Sequence, residues 1–283
     1  MFPIALCNEV LQPLPFAEQC KVAAALGYDA LEVAPFTLAR NPMDISDTDA
    51  FNFRYIAEDH GLAISGLHWL LVAPQGLSMV SGDAGLRAQT TVVMGRMTEL
   101  CALMGGNYLV HGSPKQRSVP AGETRETTYA RARECLYAAA KAAEAAGVTY
   151  CIEPLAKNET DLINTVSEAA RLVDEIDSPA FKTMIDCSAA GQSEEMPVDR
   201  LIAQWLPTGK IAHVQVNDPN RRGPGQGELQ FAPILEALKR GRYEGVLAVE
   251  PFDYVPDGMG AAAWAIAYLR GVAEGARLEN IVF

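Results

Sequence analysis

The chain has 283 residues, 49% of them hydrophobic and 20% charged, which suits one large folded domain with ample apolar material for its core. A net charge of −12 and an isoelectric point of about 4.8 argue against nucleic acid or an anionic membrane surface as partner. No apolar run reaches the roughly 18 residues that span a bilayer, and the opening Met-Phe-Pro-Ile-Ala-Leu lacks a basic leader, so a cytoplasmic protein is expected.

The six cysteines (Cys7, Cys20, Cys101, Cys135, Cys151 and Cys187) are scattered and form no Cys-x-x-Cys pair. Reduced thiols in the core are expected.

Short apolar runs alternate with helical patterns at a period near 30 residues. The first run, residues 2–7, precedes a helix over 15–26 that stops at Gly27. The second, 30–34, precedes a helix over 47–59 with Phe51, Tyr55 and Ile56 on one side, stopping at Gly61. The third, 62–69, precedes a long helix over 86–104 ended by Gly105-Gly106. The fourth, 108–111, precedes an alanine-rich helix over 124–146 ended by Gly147. The remaining four pairs are 148–153 with 166–176, 182–187 with 198–205, 211–216 with 231–240, and 245–250 with 261–275. Eight strand–helix units with short apolar strands predict an α/β protein, a single (β/α)8 TIM barrel over residues 1–283. An open doubly wound sheet is disfavoured, because no Gly-x-Gly-x-x-Gly opens a helix after the first strand.

Function collects at the carboxyl ends of such strands. Glu153 ends strand five, Asp186 ends strand six, Gln215 lies late in strand seven and Glu250 ends strand eight, with separations of 33, 29 and 35 residues. Each separation is about one strand–helix unit, so four consecutive strands bring one oxygen-bearing side chain each to the same rim. Three carboxylates in one low-dielectric pocket repel one another unless a cation sits among them. Such an oxygen-rich set suits one divalent ion, Mn²⁺ or Mg²⁺, with Co²⁺ or Zn²⁺ as alternatives.

His213 shares the face of Gln215 two residues deeper, as a ligand, an orienting group or a core histidine. His68 and His111 end strands three and four, where each either contacts substrate or packs at the rim. His60, beside Gly61, reads as a helix cap, and Trp69 as an apolar pocket wall or rim packing. Of Arg221 and Arg222, in a loop punctuated by Pro219, Gly223, Pro224, Gly225 and Gly227, one is expected to clamp a substrate oxygen. The glycines there shape a turn and form no phosphate loop, since no Gly-Lys-Ser/Thr ending follows.

The series Ile-Glu-Pro-Leu (152–155), Glu-Thr-Asp-Leu-Ile-Asn-Thr (159–165), Ile-Asp (185–186), His-Val-Gln-Val (213–216), Arg-Arg-Gly-Pro-Gly-Gln-Gly-Glu (221–228) and Val-Glu-Pro (249–251), with Val-His-Gly-Ser-Pro (110–114), resembles the sugar isomerase/epimerase superfamily of xylose isomerase-like barrels. Ketose 3-epimerases and hydroxypyruvate isomerases are the nearest patterns. The resemblance implies one divalent metal on Glu153, Asp186, Gln215 and Glu250. It also implies substrate contacts from Glu159 and Arg221. Its seventh-strand ligand, Gln within His-x-Gln, follows the hydroxypyruvate isomerases. One departure is Ala189, where the epimerases carry a substrate-binding histidine.

The implied activity is proton transfer at a carbon next to a carbonyl, in a small ketose or keto-sugar acid, with Glu153 and Glu250 as the acid–base pair. Chelation of the carbonyl and the neighbouring hydroxyl would stabilise the enolate. The rivals are a metal-dependent dehydratase of a keto-polyol, an AP-endonuclease-like barrel and a non-catalytic sugar-binding barrel. Ala189 and Gln215 stand where the endonuclease needs histidines. A small-molecule substrate is the expected partner, and a homo-oligomer is compatible with this class.

Overall fold

The computed structural model describes residues 2–278, with side chains through 275. Met1 and residues 279–283, which belong to the expected 1–283 domain, lie outside the described residues.

Eight parallel strands close in sequence order, with β1 (Ile4–Cys7) paired to both β2 (Ala30–Val33) and β8 (Leu247–Val249). Between them run β3 (Ala63–Leu67), β4 (Tyr108–His111), β5 (Thr149–Ile152), β6 (Phe181–Asp186) and β7 (Ile211–Val216). Nearly every strand residue is buried, as expected where side chains on one face fill the barrel and those on the other meet helices. Helices α1 (Phe16–Leu26), α2 (Asp47–Asp59), α3 (Ala84–Leu103), α4 (Arg125–Ala146) and α5 (Val166–Ile176) cover the first five strands. After β6 come α6 (Cys187–Ser193) and α7 (Val198–Trp205), then α8 (Phe231–Arg240) and α9 (Gly258–Leu278).

Local chemistry sets these boundaries. Helix α2 opens on a capping box, in which Ser46 Oγ accepts from the Asp49 amide and Asp49 returns a bond to the Ser46 amide. Helices α1 and α4 stop at Gly27 and Gly147, whose φ of 89° and 73° lie in the left-handed region that glycine enters freely. Helix α5 buries Val166, Ala169, Ala170, Val173 and Ile176 on one stripe.

The expected elements are present: β4 and β7 keep their expected limits, β6 is shifted by one residue, and the other strands are one to three residues shorter. The addition is α6, seven small or polar residues with no apolar stripe, and so without a period to read. It begins because Asp186 caps it, accepting from the Ala189 amide at 2.6 Å. All six cysteines are buried and unpaired. No helix of the described residues is long and apolar enough to cross a membrane.

Candidate active site

The carboxyl ends of β5, β6 and β8 deliver Glu153, Asp186 and Glu250. One carboxylate oxygen from each lies within 4.8 Å of the others, and all three residues are buried. Gln215 is the register partner of Asp186 on the adjacent strand. Its Nε2 donates to Glu32 at 2.7 Å, while its Oε1 is buried without a partner among the described residues. One Glu250 oxygen, Oε2, is likewise buried and unpartnered. Orphaned buried oxygens beside crowded carboxylates are a donor set that a hard divalent cation fits.

Burial comes first among the causes that raise these carboxyl groups, and mutual repulsion adds to it. Asp186 rises to about 7, although hydrogen bonds from the Ala189 amide and Asn217 oppose the shift. Glu250 rises to about 8 against the pull of His68. Glu153 rises well above the carboxylate range, through burial and then the charges of Glu250 and Asp186. Carboxyl groups raised this way are suited to taking up and returning protons.

Buried polar groups hold Asp186, Glu250 and the backbone of Glu153 in place. Asn217 Nδ2 donates to Asp186 Oδ2 at 2.7 Å and to the Glu250 carbonyl at 3.0 Å, while its Oδ1 accepts from the Ser188 amide. The fully buried Arg117 donates to the Glu153 carbonyl at 2.7 Å, and burial lowers its pKa to about 10. A Cβ on Gly112 would lie 1.7 Å from Glu153 Oε2, so only glycine leaves room for that carboxylate. His68 bridges Glu250 (Nδ1–Oε1, 3.0 Å) and Glu9 (Nε2–Oε2, 3.0 Å). Burial alone would lower its pKa, but the facing carboxylates hold it well above the usual histidine value.

The mouth has an aromatic wall. Trp69, with φ of 53°, donates from Nε1 to Glu250 Oε1 at 2.9 Å, and its ring lies between those of Phe36 and Phe252. Arg221 stacks over Phe252 at 4.8 Å and reaches toward Glu159, 3.9 Å away. Arg222 turns away and pairs with Asp253 at 2.8 Å. Asp218 at the strand mouth is a turn former, accepting from the amides of Asn220 and Leu229. His60 is the expected cap, its ring 2.8 Å from the Ile56 carbonyl.

Two of the candidate histidines lie away from the mouth. His111 faces out of the barrel with Leu109, because residues alternate along β4 and Tyr108 and Val110 take the inner face. Its Nδ1 lies 2.7 Å from Tyr150 Oη, in the layer between strands and helices. His213 points inward but lies on the floor, fully buried, stacked on Tyr108 at 4.0 Å and 2.8 Å from Glu32 Oε2. Ala189 fills the departure position with a methyl group, and only its backbone serves the site, through Asp186.

Asn217, Glu9, Arg117 and Glu32 escaped the sequence reading. Asn217 continues the period-two series of His213 and Gln215, and that series could have found it. Glu32 is a lone charge in the apolar strand Ala-Leu-Glu-Val.

Known proteins are similar to this chain in sequence and in fold. The D-psicose 3-epimerase of Agrobacterium fabrum is 26% identical over 270 residues, covering 94% of this chain and 89% of that one. A putative hydroxypyruvate isomerase of Streptomyces coelicolor is 27% identical over 276 residues, covering 88% and 93%. The solved D-psicose 3-epimerase from Clostridium cellulolyticum with D-tagatose superposes with a TM-score of 0.79 at 21% identity, over 98% and 99% of the two chains. The model of the xylose isomerase-like TIM barrel matches residues 20–272, and the chain belongs to that family.

Proposed function

We propose that this protein is a divalent-metal-dependent isomerase or epimerase of a small ketose or keto-sugar acid, working by proton transfer through an enediolate. The observation that carries this reading is the pairing of two buried glutamates, Glu153 and Glu250, whose carboxyl groups burial raises, on strands three apart around one carboxylate cluster. Relatives named as epimerases and a hydroxypyruvate isomerase support it.

Glu153, Asp186, Glu250 and the Gln215 carbonyl oxygen would hold the ion, Mn²⁺ or Mg²⁺, which supplies polarisation of the substrate carbonyl when bound. Glu153 and Glu250 then approach a substrate from two sides. One takes the proton next to the carbonyl and the other returns one, on the opposite face for epimerisation. A single base moving the proton between adjacent carbons gives isomerisation. Trp69, Phe36 and Phe252 shield the sugar face from water, and Arg221 with Glu159 binds its far hydroxyl or carboxylate.

The test is conversion of a panel of ketoses, hydroxypyruvate and keto-inositols by protein dialysed against chelator and reloaded with Mn²⁺. Turnover of at least one member, lost with chelator and restored by the ion, is expected. A metal-loaded protein that converts none of them would remove the reading.

Arg221 and Arg222 separate cleanly. Arg221→Ala is expected to lower kcat/KM by about 2 kcal/mol, roughly 30-fold, as for a lost charge-assisted hydrogen bond. Arg222→Ala, which breaks only an exposed pair with Asp253, should stay near wild type. Steady-state kinetics on both variants checks this, and the reverse ranking would exchange their roles.

A further inference from the structure

Gln215 is an unusual metal donor because its amide can present oxygen or nitrogen to the same point, and the nitrogen cannot bind a cation. Something must hold the oxygen toward the ion. The barrel floor supplies it. Glu32 lies on β2, three strands away around the ring from β7, and its fully buried carboxylate crosses the interior to meet Gln215 Nε2 at 2.7 Å. Its other oxygen receives Tyr108 Oη at 2.5 Å and lies 2.8 Å from His213 Nε2.

Every polar group against the Glu32 carboxylate is placed as a donor: the Tyr108 hydroxyl and the His213 ring face Oε2, and the Cys7 thiol faces Oε1 beside Gln215 Nε2. The carboxylate accepts from all of them. Facing it, the amide has one satisfactory orientation, with nitrogen to the floor. Gln215 Oε1 is then turned away from Glu32, buried and unpartnered, on the strand that pairs with Asp186.

We propose that Glu32 is a positioning residue that locks the Gln215 amide with its oxygen toward the metal. This rests on the metal-site reading above. The residue binds neither ion nor substrate; it acts through Gln215 alone.

The experiment is Mn²⁺ titration of the dialysed protein, with free ion read by electron paramagnetic resonance and folding checked by thermal melting. Glu32→Gln offers the Gln215 amide both a donor and an acceptor, so the orientation is lost, and Kd should rise at least about tenfold. Gln215→Glu sets two carboxylates face to face and should weaken binding as much. The double variant Glu32→Gln/Gln215→Glu restores a donor–acceptor pair with the polarity exchanged, and should bind Mn²⁺ within about threefold of wild type. Tyr108→Phe removes a different partner of Glu32 and should leave Kd within the same limit.

Glu32→Asp, which keeps two acceptor oxygens but ends one methylene short, should weaken binding about fivefold or more even if Glu32→Gln does not fold. Wild-type affinity in Glu32→Gln or Glu32→Asp would overturn the inference. So would a double variant no better than the singles, or a Tyr108→Phe loss equal to that of Glu32→Gln. Absence of Mn²⁺ binding in the wild type itself would instead remove the metal-site reading on which it stands.

Discussion

Asp186→Asn and Asp186→Ala should each lose the bound divalent ion, from about one per chain to under about a tenth after dialysis. Asp186 is buried, lies within 4.8 Å of the Glu153 and Glu250 oxygens, and is the strand neighbour of Gln215. The two variants divide ligation from folding. Asparagine keeps the acceptor that caps α6 through the Ala189 amide, so its fold should survive, whereas alanine also loses about 1 kcal/mol of capping. Metal content near wild type in both would sink the site.

The same carboxylates give a pH signature with a definite sign. Burial, the foremost cause, lifts Asp186 to about 7 and Glu250 to about 8 in the metal-free fold, against roughly 4 in an unfolded chain. The native state therefore holds protons that the unfolded chain releases. Metal-free stability should fall as pH rises from about 5 through 8. Mn²⁺ bound at the proposed site would replace those protons, so its affinity and its stabilising effect should both grow over that interval. In Asp186→Asn the metal-free decline should be shallower. Melting curves at pH 5, 6.5 and 8 with and without Mn²⁺ decide the matter. A metal-free protein more stable at pH 8 than at 5 would contradict the shifts.

The barrel and the carboxylate-bearing rim were legible because both are written as repeats. Glu153, Asp186, Gln215 and Glu250 recur once per strand–helix unit, so their meeting at one rim follows from closure of the barrel alone. The two histidines at strand ends show where this reasoning stops. His68 follows Gly66 on the inner face of its strand and meets Glu250, while His111 sits one step out of phase and faces Tyr150. A strand of four residues buried on both faces has no apolar–polar alternation to reveal that phase. Glu32 was hidden for a related reason: a lone glutamate in Ala-Leu-Glu-Val reveals neither its direction nor a partner 183 positions away. Arg117 lies in a loop without periodicity, and its burial against the Glu153 carbonyl is purely tertiary.

On the proposed mechanism, Glu153→Gln and Glu250→Gln should each cut turnover by at least about 10², because each would keep size and one oxygen for the ion while removing the proton-transfer group. The two need not fail alike. Glu250 accepts from both His68 and Trp69, so its replacement also disturbs the wall of the mouth and should raise KM. Glu153, whose side chain faces the open backbone of Gly112, should lose kcat chiefly. Solvent deuterium then separates the two chemistries. Two glutamates serving opposite faces exchange with water independently, so an epimerised product formed in D₂O should carry deuterium at the inverted carbon. A single base working along one face passes part of the original proton to the neighbouring carbon, and the isomerised product should be only partly labelled. Mass spectrometry and proton NMR of the product read both outcomes. Wild-type turnover in both glutamine variants would take these residues out of the mechanism, and an unlabelled epimer from D₂O would end the two-base assignment.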